Sequence, residues 1–309
     1  MLPCKKLRGG FLYPLLRAIN TFFGLMIRFS VFSLSRRRAI VLVVTISVFA
    51  LTIWFINSFL PYRNLWLQFD TESDISTFFC EYTDMSAIIR QPINTFSNFI
   101  YWMVGIAILR RGWKDQSKSK RYNLVCANPF YSITLGCIML YIFCASTFFH
   151  SSLISFASRL DFSSVYSLSL FPLMYFAHRV WLLSIGVPSN VKHTKSTTTV
   201  VAVFTTAYLL LTFFLPHGTE NYTVLSIIAT IIVFGIIVEK RDPGKTNKYY
   251  LMASIGSILF AVMWFGFDVY KILCDKDSWV QPHSLWHLFA GVSVFYFYMY
   301  IRSEKNLVH

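Results

Sequence analysis

Charge is scarce in this 309-residue chain. Asp, Glu, Lys and Arg make up 14% of it, and the acids number 14 against 28 bases. A soluble domain carries roughly 25% charged residues, so a water-facing globule is excluded. A glycine-rich phosphate loop, a nucleophile elbow and an internal repeat are all missing, which removes the nucleotide-binding, serine-hydrolase and solenoid classes these motifs announce. The length of the first long apolar run, and the absence of a small-residue cleavage site after it, favour an uncleaved anchor over a signal peptide. What fills the chain instead is apolar: 55% hydrophobic residues with 31 Phe and 17 Tyr, and a mean hydropathy of +0.54. This is the composition of lipid-facing surface with aromatic belts.

The formal charge of +14 does not point to nucleic acid, because the charges are sorted by side of a membrane. Residues 1–38 form a basic segment (Lys5, Lys6, Arg8, Arg17, Arg28, Arg36–Arg38), within which Phe22 to Phe32 is expected to lie along the membrane surface. An extra N-terminal span follows at 39–60, then an acidic non-cytoplasmic loop at 61–91. Seven further spans are expected at about 92–109, 129–150, 160–183, 199–215, 222–238, 249–272 and 282–301. They define a seven-helix bundle over 92–302, followed by a tail at 303–309. The fold class is therefore all-α integral membrane. With the N-terminus in the cytoplasm, the bases collect in the cytoplasmic segments, around Arg36–Arg38, Arg110 to Arg121, Arg179 to Lys195, Lys240 to Lys248, Arg302 and Lys305. Only Arg63, Arg90, Arg159, Lys271 and Lys276 fall on the other side, as the positive-inside rule requires. Both termini are then cytoplasmic.

Two histidines, His283 and His287, stand one turn apart near the start of the last span. Such a pair is half of a zinc site, or else two imidazoles hydrogen-bonded in a wet interfacial layer beside Trp286. The topology favours the metal. The span ending at His150 also carries Ser146, at i and i+4, and the next span starts on that side with Asp161. Three imidazoles, a hydroxyl and a carboxylate thus share one depth on the non-cytoplasmic side. Three histidines leave one tetrahedral position open, the catalytic pattern of zinc, which lowers the pKa of water towards roughly 7. Asp161 is the candidate proton carrier; the alternatives are a carboxylate in the first turn of its helix, favoured by the dipole, or a partner for Arg159. Ser146 donates to a developing oxyanion or holds the metal's water; otherwise it bonds its own i−4 carbonyl. Asp268 is either neutralised by Lys271 or orients a zinc histidine. Asn94, Ser97 and Asn98 read as packing glue. His178 and His217 lie too far from the cluster to ligate, and His193 and His309 are ordinary surface residues.

These residues resemble the alkaline ceramidase-like membrane hydrolases, of a superfamily with the adiponectin-receptor-like and Per1-like proteins. The resemblance runs from about Phe78 to Arg302. It rests on Cys80-Glu81, Asn94-Thr95-Phe96-Ser97-Asn98, Ser146 to His150 with Asp161 beyond, Asp268, Cys274, and His283 to His287. It implies zinc on His150, His283 and His287, with Ser146 and Asp161 assisting. It also implies a hydrolase that cleaves the amide of ceramide or a related N-acyl lipid drawn from the bilayer, releasing a fatty acid and a sphingoid base. No obligate protein partner is evident. In eukaryotic members an Asp-Trp-Cys-Glu run and a later Glu bind calcium; here Phe78-Phe79 precede Cys80-Glu81, and Gln91 stands at the later position. Glu81 and Asp84 remain, which leaves calcium open. The short form resembles the bacterial members, implying an inner membrane, or ER/Golgi if eukaryotic. A cysteine-rich lumenal domain of the Per1-like kind is missing. Of the six cysteines only Cys80 and Cys274 fall on the non-cytoplasmic side, and the resemblance pairs them in a disulfide; the alternative is two buried thiols. Against the enzyme stands a non-enzymatic seven-helix receptor or structural protein with a stabilising zinc.

Overall fold

The computed structural model describes residues 65–71, 78–116, 123–186, 194–214, 220–241 and 246–304. The expected segment at 1–38, the span at 39–60 and residues 305–309 lie outside them. Among the described residues every regular element is a helix, apart from a single bridge between Thr71 and Ile154. In chain order these are α1 (Pro92–Ser97), α2 (Phe99–Gln116), α3 (Leu124–Ala127), α4 (Phe130–Ser152) and α5 (Ser155–Ser184). They continue with α6 (Thr194–Phe214), α7 (Glu220–Arg241), α8 (Lys248–Val269) and α9 (Pro282–Arg302). Helices satisfy their backbone internally, the requirement that lipid imposes.

Among the described residues, five stretches are long and apolar enough to cross a membrane: Pro92–Gln116, Phe130–Ser152, Tyr222–Arg241, Lys248–Val269 and Pro282–Arg302. The expected spans at 160–183 and 199–215 are met by α5 and α6, which do not pass that criterion. α5 is diluted by Arg159, Asp161, Arg179 and serines at 158, 163, 164, 167 and 169. Within α6, Thr199–Thr212 is an apolar stretch among the described residues.

Packing follows small residues. A Cβ on Gly136 of α4 would meet Leu109 of α2 at 2.5 Å, and one on Gly291 of α9 would meet Ile100 of α2 at 2.7 Å. Helix backbones in a membrane approach closely where a side chain is missing. α9 therefore sits against α2 and, along its length, against α8, while α5 packs on α4, α6 and α7.

A tight turn sets the depth of the site. Leu153 closes α4 in the left-handed region (φ 51), and α5 begins two residues later at Ser155. Ser146 and Asp161 are each six residues from their helix ends at this turn, so the antiparallel hairpin brings them level. Asp161 thus lies in the second turn of α5 and not the first, which removes the helix-dipole explanation for it. At the other end, buried ion pairs of Arg179 with Glu304 at 2.7 Å and of Arg302 with Asp115 tie α5, α9 and α2 together.

Candidate metal centre

Pro92 at the first position of α1 and Pro282 at the first position of α9 start both helices without wasting an amide donor. His283 follows Pro282 directly, so His283 and His287 occupy the first two turns of α9 at the end where α4 finishes with His150. The three side chains offer ligand atoms that all lie within 4.8 Å of one another, and all three residues are buried. Ring centroids are 4.9 Å apart for His150 and His283, 5.2 Å for His150 and His287, and 4.6 Å for His283 and His287.

Each imidazole is held from behind through Nδ1. Nδ1 of His150 lies 2.9 Å from Oε1 of Gln91, and Nδ1 of His283 lies 3.3 Å from Oδ2 of Asp268. Nδ1 of His287 lies 2.7 Å from the Ser97 hydroxyl. Ser97 donates its only proton to the Asn94 carbonyl at 2.8 Å, so His287 must be the donor in that pair. An amide oxygen only accepts, which makes Nδ1 the donor to Gln91 as well, while Nδ1 of His283 lies beside the Asp268 carboxylate without a hydrogen bond. His150 and His287 therefore carry hydrogen on Nδ1 and keep the Nε2 lone pair free. In metal-binding histidines the nitrogen turned away from the metal donates to an oxygen in this way.

The donor set fits zinc: three imidazole nitrogens, a dry surround and a position left over. Phe79 lies against His283 and His150 with centroids at 4.6 and 5.0 Å, and Tyr101 faces His287 at 5.7 Å. Ser146, buried one turn before His150, hydrogen-bonds the Asp161 carboxylate and not its own i−4 carbonyl. Tyr101 is within electrostatic reach of the same carboxylate.

A strap at residues 78–84 closes the site. Cys80 is joined to Cys274 by a disulfide, and the Cys80 amide donates to Oδ1 of Asp268 at 2.8 Å. Asp268, fully buried, thus links the strap to His283; Lys271 spends its ammonium on the Phe78 carbonyl. Glu81 points the other way, accepting the amides of Ile93 at 2.6 Å and Asn94 at 2.8 Å at the start of α1. Burial pushes the Glu81 carboxyl up to about 7 against those two amides.

Glu81 and Asp84, the residues left open for calcium, already accept hydrogen bonds. Both Glu81 oxygens are committed to α1, and Oδ1 of Asp84 accepts from the Ser86 amide and hydroxyl at 2.9 and 2.6 Å. Calcium takes six to eight oxygen ligands, and among the described residues the one metal-competent cluster is the histidine triad. Ser97, read from the sequence as packing glue, is corrected to a histidine partner. Gln91, Phe79 and Tyr101 were not singled out as site residues at all. His178 bonds the Tyr131 hydroxyl away from the triad. An apolar cavity of about 310 Å³ between α4, α5 and α6, lined by Tyr141, Ser167 and Tyr208 among others, includes none of the triad.

No curated protein matches the chain. The family model described as Ceramidase matches residues 72–306, which takes in every side chain of the site, and the chain accordingly belongs to the ceramidase family.

Proposed function

We propose that the chain is a multi-pass, zinc-dependent membrane amidase that hydrolyses ceramide or a related N-acyl lipid to a fatty acid and a sphingoid base or amine. The observation that carries the reading is the convergence of three buried histidines beside a Ser146–Asp161 pair. In this reading residues 92–302 are the catalytic seven-helix domain, preceded by a basic segment, one extra span and an acidic loop. The termini lie in the cytoplasm and the site opens towards the other side.

His150, His283 and His287 would hold zinc through Nε2. A bound zinc supplies Lewis acidity towards the amide carbonyl and lowers the pKa of water to roughly 7. The chain's own residues do the rest. Hydrolysis places the water oxygen on the carbonyl carbon, breaks the C–N bond and sends a proton to the leaving nitrogen. Asp161 takes that proton from the water and returns it to the amine. Ser146 holds the carboxylate in place for both transfers. Phe79, Tyr101 and Phe265 keep bulk water away from the imidazoles and so strengthen local electrostatics. Gln91 and Ser97 keep the rings of His150 and His287 in one tautomer, and the Asp268 carboxylate stands behind the third ring. A structural zinc is more often closed by a fourth protein ligand, and among the described residues the triad has none.

The test is zinc per chain in detergent-purified wild type and in His283→Ala, by plasma mass spectrometry, paired with fatty-acid release from short-chain ceramides. About one zinc with activity in the wild type, and loss of both in the variant, supports the reading. A folded wild type without zinc after chelator-free purification overturns it.

A further inference from the structure

Gln91 is fully buried at the junction of the strap, α1 and the end of α4. Its backbone is fixed at this place. The Arg90 amide donates to the Ser151 carbonyl at 3.1 Å and the Gln91 amide to the His150 carbonyl at 3.2 Å. The Arg90 guanidinium adds a bond to the Ser152 carbonyl at 2.6 Å. Three terminal carbonyls of α4 are thereby capped by one two-residue segment, with cationic charge at the negative end of the helix. The side chain is fixed as well. Oε1 faces Nδ1 of His150 at 2.9 Å, and Nε2 donates to the Thr83 hydroxyl at 2.9 Å. Asn94 Nδ2 reaches the same Oε1 at 3.4 Å.

We infer that Gln91 is the positioning residue for His150 and that its neutral amide makes calcium unnecessary in this chain. The inference rests on His150 being a zinc ligand. A carboxylate at position 91 would also accept from His150, but it would bring a second buried acid to the helix start where Glu81 already sits. Two buried carboxylates together need a cation or a proton held on one of them. The amide needs none, and its NH2 group gives Thr83 a donor. A second N–H donor, the Lys271 ammonium, occupies the Phe78 carbonyl at the start of the strap.

Three measurements without substrate test this, so failure of the hydrolase reading does not confound them. Calcium and zinc are counted together by plasma mass spectrometry in the wild type, and its thermal midpoint is followed as calcium is added to millimolar levels. No bound calcium and an unmoved midpoint are expected; one calcium per chain, or clear stabilisation, overturns the inference. Gln91→Met keeps the volume and loses the acceptor. Zinc affinity by chelator competition should fall about 10- to 100-fold, with altered visible bands in the cobalt-substituted protein. Affinity and bands like those of wild type overturn the positioning role. Gln91→Glu should lose stability and zinc affinity in calcium-free buffer and recover both with calcium. Wild-type behaviour of that variant in calcium-free buffer overturns the requirement for a neutral group.

Discussion

The Ser97 hydroxyl lies 2.7 Å from Nδ1 of His287, with its own proton on the Asn94 carbonyl. A hydroxyl so committed can only accept, and it thereby dictates which nitrogen of His287 faces the centre of the triad. Ser97→Ala should leave the helices intact and weaken zinc binding about 10-fold or more, while Ser97→Thr keeps the acceptor and should bind nearly as wild type. Chelator competition on both variants decides it: equal affinity for Ser97→Ala and wild type removes the role.

That relationship was hidden in the sequence for a physical reason. A serine on a membrane helix presents the same pattern whether it glues helices or orients a histidine 190 positions away. His283 and His287, by contrast, announce themselves through i, i+4 spacing, and His150 and Ser146 join them because topology sets their depth. Asp161 was placed on the right helix but one turn too close to its start. The turn before α5 uses a left-handed Leu153 where a glycine would have signalled it. Gln91 was visible only as a missing carboxylate, since an amide's partners depend on a loop whose path no periodicity records. α5 was read as one more span, yet its serines and charges dilute it as expected for a helix whose polar face meets α4 and α6, as in the contact of Ser163 with Tyr208 at 2.6 Å.

Asp161→Asn tests the proton carrier. Asparagine keeps the shape and an acceptor for Ser146, but cannot take a proton. Zinc content should stay at the wild-type level while turnover of a short-chain ceramide falls at least about 100-fold, the usual scale of general acid–base catalysis. Turnover at the wild-type rate would remove Asp161 from the chemistry; loss of zinc would make it a structural residue.

Glu81 should give the protein a pH-dependent stability. Its folded value of about 7 lies above the ordinary 4.5 because burial penalises the charge. Between these values the folded state holds a proton that the unfolded chain has released. The contribution is complete below the unfolded value and is lost as pH rises through about 7. The thermal midpoint should therefore fall between pH 5 and pH 8, and Glu81→Gln should flatten that fall. An unchanged slope in the variant would assign the pH dependence elsewhere.

The disulfide should matter to the metal as well as to the fold. Cys80 and Cys274 close a loop of 194 residues, and cross-links over long loops typically contribute about 2–4 kcal/mol. Their position adds a local effect. The Cys80 amide bonds Asp268, and Asp268 faces Nδ1 of His283, so the cross-link holds the strap whose backbone orients a carboxylate behind a triad histidine. Phe79, next to Cys80, also covers two of the three rings. Cys80→Ser should lower the thermal midpoint, and in the protein that remains folded zinc should dissociate to a chelator faster than from wild type. Cys126→Ser, which touches a cysteine outside the disulfide, is the control and should change neither. A wild type with the same gel mobility with and without reductant, and with both thiols open to maleimide, would show that the bond is not formed. A Cys80→Ser variant with unaltered zinc release would instead separate the cross-link from the metal site and leave it a purely structural tie.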